Sequence, residues 1–146
     1  MARLPQDLDV YTGCDCDQAI GLDPLAVGFL GRKFKFPTGK APAGFIEKLL
    51  PFCHPNKTVC HTHGKRKSPF DNTQIEINID GQAVTLGGAE IRVIGQDDIF
   101  AAPDLIYHYV ADHHYLPPAE FIEAVLNGPQ PNSAEFRALI NTLRTY

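Results

Sequence analysis

With 146 residues, 44% of them apolar and 21% charged, the chain has the size and composition of one globular domain able to bury a core unaided. A net charge of −4 argues against a general nucleic-acid binder, which would carry a basic stripe. No stretch approaches the ~20 consecutive apolar residues of a membrane span, and no targeting segment is visible, so the expected location is the cytoplasm. In that compartment the four cysteines are expected to be free thiols or metal ligands rather than disulfides.

Residues 1–36 have no readable period. Asp15, Asp17, Asp23, Pro24 and three glycines interrupt them, and Asp9 joins the three aspartates in an acidic set without calcium-loop spacing. Pro37-Thr38-Gly39 marks a turn. A helix is predicted over 42–50, with Phe45, Ile46, Leu49 and Leu50 on one face and Pro51 ending it. Residues 51–72 form a long polar stretch, unusual inside a compact domain unless tied down or functional.

A β-meander of three to four strands is predicted over 73–101. Ile75, Ile77 and Ile79 alternate with polar residues, Asp80-Gly81 is a hairpin signal, and Val84 and Leu86 continue the apolar face. Gly87-Gly88 leads into Glu90-Ile91-Arg92-Val93-Ile94, and Ile99-Phe100-Ala101 supplies a short fourth strand. Alternation of this kind belongs to antiparallel strands with one face in solvent.

The remainder, 103–145, reads as helical. Pro103 opens one helix to about His114, Pro117-Pro118 a second, and Asn132-Ser133-Ala134-Glu135 resembles a capping box for a third carrying Phe136, Leu139, Ile140 and Leu143. The segment 118–126 echoes 42–50, either as two convergent amphipathic helices or as a pseudo-symmetric pair framing the sheet. The expected fold is therefore α+β: an antiparallel meander packed on about four amphipathic helices in a single domain, 1–146.

Gly88-Ala89-Glu90-Ile91-Arg92-Val93, then residues 102–110 with His108-Tyr109-Val110, His113 and Tyr115, and Pro117-Pro118-Ala119-Glu120-Phe121 resemble a family of small uncharacterised bacterial proteins. The resemblance covers about residues 88–126 and loosely Phe36-Pro37-Thr38-Gly39. It implies a bacterial, cytosolic protein and no particular activity. It also implies His and Cys ligands in the loop before the meander. The equivalents here after Gly64 are Arg66, Ser68 and Asp71, so a metal site at that point is lost or rebuilt.

Three residue groups can carry chemistry. Cys14, Cys16, Cys53, Cys60, His61 and His63, with His54 nearby, are ligand types for Zn²⁺, although the Cys-x-Cys and Cys-x6-Cys spacings are not those of a zinc knuckle. His108 and Asp112 are neighbours one helical turn apart at the edge of the apolar face, with His113 nearer its centre; they are the candidates for general acid–base chemistry or a metal shell. Tyr107, His114 and Tyr115, with the basic run Lys65, Arg66 and Lys67, are candidate partner contacts.

No nucleotide-binding loop and no nucleophile motif is present in the sequence. The expectation is a non-enzymatic cytosolic protein that binds another protein, in the manner of an immunity protein or antitoxin. The alternatives are a small zinc-binding structural or regulatory protein, and a hydrolase or nuclease using His108, Asp112 and His113.

Overall fold

The structure, a computed structural model, describes residues 5–14, 17, 21–33, 35–62 and 64–143. Asp15, Cys16 and His63 lie outside them, as does the side chain of Leu143.

The α+β class holds, with the strands divided between two sheets. β1 (Leu25–Ala26), β4 (Glu90–Ile94) and β5 (Ile99–Pro103) form one, in the order β1-β5-β4. β4 and β5 are antiparallel, from Glu90 opposite Pro103 to Ile94 opposite Ile99, and β1 runs parallel to β5. β2 (Glu76–Ile79) and β3 (Gln82–Thr85) form a separate hairpin. Its turn is the one that Asp80-Gly81 predicts: both residues have positive φ, 52° and 83°.

The predicted single meander breaks between β3 and β4 for a specific reason. Ahead of and at the start of β4, pairing is with the polar loop instead of β3. Val59 and Glu90 exchange both backbone hydrogen bonds, Thr62 N donates to Gly88 O, and Arg66 N donates to Gly87 O. Gly87 has φ +105°, and a Cβ there would lie 2.2 Å from the Arg66 carbonyl oxygen, so the close approach requires glycine. The long loop is thereby tied down by backbone pairing.

The alternation of buried and exposed positions survives in the hairpin but not in the larger sheet. Ile91 to Ile94 and Ile99 to Ala102 are buried throughout, because other elements cover both faces. α1 (Phe45–Leu49) continues through Pro51 as a 3-10 turn (Leu50–Cys53), since proline is tolerated in a first turn. Pro103 does not open a helix; it ends β5, where a missing N–H costs nothing in the ladder. α2 spans Ile106–His113, α3 Ala119–Asn127 and α4 Ala134–Leu143.

The echoing segments 42–50 and 118–126 meet in the core, the Phe45 and Phe121 rings edge to face at 6.3 Å. Around them lie Leu49, Ile91, Val93, Phe100 and Ile106, all essentially inaccessible. α4 packs separately, through Phe136, on Leu22, Ile94 and Ile99. The N-terminal segment that the sequence leaves open lies along β1 and is pinned by Asp7, which accepts from Gly28 N at 2.9 Å and Tyr115 Oη at 2.6 Å.

Candidate metal centre

The longest-range polar convergence on α2 is built from two elements. The first is the turn 68–73, closed by Ser68 N to Thr73 O and Asn72 N to Ser68 O, both 2.9 Å. The second is α2 itself. Asp71 Oδ2, on the turn, lies 2.6 Å from His108 Nε2 and 2.7 Å from His113 Nε2. On the far side of the first ring, His108 Nδ1 lies 2.7 Å from Asp112 Oδ2, one helical turn on. A carboxylate only accepts, so Asp112 places a proton on Nδ1 and orients the ring with Nε2 toward Asp71.

Burial grades across this group. His108 is 4% exposed, against a side-chain exposure of 24% for His113 and 38% for Asp71. The sequence expectation is thus reversed: His108, not His113, is the deeper of the two. The His113 hydrogen bond foremost, opposed by desolvation and reinforced by His108 and Ser68, holds the Asp71 carboxyl below its ordinary range. The ligand atoms of Asp71, His108 and His113 all fall within 4.8 Å of one another.

Ser68 also reaches this point, with Oγ 3.1 Å from both His108 Nε2 and Asp71 Oδ2. Ser68, His108 and Asp112 therefore stand in the order of a hydrolytic triad. Two features oppose that chemistry. Ser68 is only 1% exposed, and Asp71 Oδ2 lies closer to Nε2 than the hydroxyl does.

The cysteines are placed differently. Cys14 and Cys60 are joined as a disulfide, with Cα atoms 6.3 Å apart, so the expectation of free thiols is corrected for this pair. Cys53 is free and buried, its sulfur against the carbonyls of Leu49 and Asp104, and burial raises its thiol pKa well above the usual range. His61 bonds Thr58 and His54 bonds Asn56 N; neither joins Cys14 and Cys60.

Beside the disulfide lies a buried ion network. Arg92 holds Asp17 in two bonds, 3.1 and 2.7 Å, and reaches Glu90 at 2.9 Å and the Ile91 carbonyl at 2.9 Å. Tyr11 donates to the other oxygen of Glu90. Desolvation works against the buried guanidinium, but Asp17 and Glu90 outweigh it and raise its pKa. Its distance in sequence from Asp17, 75 residues, kept this pair out of sequence reasoning.

A family model described as a domain of unknown function, DUF7919, matches residues 5–126. The chain belongs to that family. The family-matched span contains the Asp71 cluster and the Arg92 network and stops short of α4. No curated protein and no solved structure matches the chain.

Within this family member the predicted partner residues separate. Tyr115 is wholly buried, its hydroxyl on Asp7, so it is a core residue and not a contact surface. Tyr107 is half-buried, whereas Lys65, Arg66, Lys67 and His114 are exposed. One further acid stands out: burial pushes the Asp104 carboxyl up to about 6, against the opposing Gly87 N–H bond and the charge of Lys65. Among the described residues no helix is long and apolar enough to cross a membrane.

Proposed function

We propose that the protein binds one divalent transition-metal ion, zinc by the chemistry of its donors, through Asp71 Oδ2, His108 Nε2 and His113 Nε2. The observation that carries this reading is their convergence from two elements, with Asp112 fixing the His108 ring from behind. Two imidazoles and one carboxylate suit zinc in a site that keeps a fourth position open, and a carboxylate behind a ligating histidine is the usual outer partner. Bonds of about 2.1 Å at tetrahedral angles place donors roughly 3.4 Å apart. Asp71 must therefore withdraw a little from both rings, and its exposed side chain leaves room for that. The ion would tie the turn 68–73 to the end of α2, a structural or regulatory role. On this reading the site that the resemblance leaves lost or rebuilt is a rebuilt one, with Asp71 supplying the ligand from that loop.

Elemental analysis of protein purified without chelator tests the reading. About one zinc per chain is expected, lost in Asp71→Ala and His113→Ala and retained in His61→Ala. Metal-free protein whose melting temperature zinc leaves unchanged would overturn it.

A second reading, a protein-binding role in the manner of an immunity protein, is favoured by the exposed basic run Lys65, Arg66 and Lys67. Reversing all three charges should abolish capture of an acidic partner from the host. Recovery of no stoichiometric partner by the unaltered chain would count against it.

A further inference from the structure

A cleft of about 680 Å³ lies between the N-terminal segment, the loop 60–66 and residues 87–90 and 103–105. Cys60 lines it and is half-buried, whereas its disulfide partner Cys14 is 4% exposed. Of the pair, Cys60 and not Cys14 therefore lines a space that a small molecule can enter. Lys65 and Arg66 stand in the same wall with exposed side chains. The two carboxylates of the cleft are already engaged: Glu90 by Arg92 and Tyr11, Asp104 by Gly87 N–H. Arg92 Nη2 lies 3.9 Å from Cys60 Sγ, but it is already held by Asp17 and Glu90, so among the described residues the free cations of the cleft are Lys65 and Arg66.

We propose that Cys60, backed by Cys14, is a thiol–disulfide exchange site for a small acidic thiol of the glutathione class. The incoming thiolate attacks Cys60 Sγ. A new S–S bond forms between the thiol and Cys60 as the Cys14–Cys60 bond breaks, and its electron pair leaves on Cys14, which takes a proton from water. A second molecule of the thiol then attacks the mixed disulfide at its own sulfur. It leaves as the oxidised dimer, and Cys60 departs as a thiolate beside Arg92. Two thiols are oxidised and one protein disulfide is reduced; the oxidised dimer drives the reverse. Lys65 and Arg66 select for an anionic thiol. This site shares no residue with the Asp71 cluster.

The test equilibrates the full chain in glutathione buffers from reduced to oxidised, followed by acid quenching, differential alkylation and peptide mapping. The pair is expected to pass from two thiols to a disulfide across the series while Cys53 stays unmodified. In Cys14→Ser glutathione should be trapped on Cys60, and in Cys60→Ser trapping on Cys14 should be roughly tenfold weaker, following thiol access. Equal trapping at both positions, or none, overturns the proposal, as does protection of both thiols by bound zinc. Should either variant fail to fold, reduction rates of the unaltered chain decide. Added salt should slow glutathione several-fold and leave uncharged mercaptoethanol unchanged, roughly the screening of an attracted anion. Equal salt dependence for both reagents removes the assigned role of Lys65 and Arg66.

Discussion

The Arg92 network and the Asp71 cluster are both knots of charge that join distant segments, yet they are finished to different degrees. Around Arg92, Nε, Nη1 and Nη2 each have an acceptor, and guanidinium and partner are almost fully enclosed. Around Asp71, a single carboxylate oxygen serves two rings and a hydroxyl while its side chain remains in solvent. Enclosed and fully paired charge holds a fold in one arrangement. On the rim, by contrast, one accepting oxygen is shared among two rings and a hydroxyl at a partly exposed position, which is the arrangement that the proposed metal reading draws on. The contrast makes the first region a structural element and fits the binding role proposed for the second, and it can be broken by removing groups from each.

The largest effect is expected at Arg92. Arg92→Ala leaves Asp17 and Glu90 without their cation in a buried site and should cost about 3–5 kcal/mol, read as a lower urea midpoint. Zinc affinity should not change. A loss under 1 kcal/mol would mean that the network is peripheral and the comparison misplaced. At Asp71 the pattern inverts. Asp71→Asn keeps an accepting oxygen for the rings and, with the side chain 38% exposed, should cost the metal-free protein no more than about 1 kcal/mol. Zinc at about a hundredfold over its Kd should stabilise the parent by about 2.7 kcal/mol and the variant by far less, measured as the shift in melting temperature.

Asp104 sharpens the contrast as a buried carboxylate with no ion pair among the described residues. Its folded pKa, about 6, lies above the ordinary 3.8. The folded state therefore holds a proton that the unfolded chain has released. Its contribution is complete below about pH 4 and is lost as pH rises through 6, on the order of 3 kcal/mol. Asp104→Asn keeps an oxygen for Gly87 N–H and removes the titration. Denaturation of both proteins from pH 4 to 7 should show the parent falling relative to the variant. A constant difference would place Asp104 at an ordinary pKa.

What the sequence made legible was local. Asp80-Gly81 specifies its turn because both positions need positive φ, and α3 is readable from Phe121 and Val125 behind two prolines. The split of the strands was not readable. It depends on Val59 pairing with Glu90, 31 residues on, in place of β3, and no pattern within a strand encodes that choice. The candidate site was half readable. His108 and Asp112 lie one helical turn apart, but Asp71 comes from 37 residues earlier, and the loop that carries it has no period. Its place was indicated only by the family resemblance, which put ligands at that loop. Tyr115 misled because an aromatic next to a helix end looks the same whether it faces solvent or, as here, Asp7.

The smallest effect concerns α4, which lies beyond the family-matched residues and packs over the Arg92 side of the molecule. The capping pattern begins one residue later than the sequence implies: Ser133 Oγ accepts from Phe136 N at 3.1 Å, while Asn132, at φ 58°, reaches Asn56 O instead. Ser133→Ala should therefore cost about 1 kcal/mol, and Asn132→Ala less, in the same denaturation assay. Because Phe136 seats α4 on Leu22, Ile94 and Ile99, a frayed helix loosens the region of Arg92 without touching the turn 68–73. Hydrogen exchange in Ser133→Ala should then quicken at β4 amides and stay unchanged along α2. If both regions quicken together, the network and the cluster open as one unit, and the division between a finished knot and an open one fails at the level of dynamics.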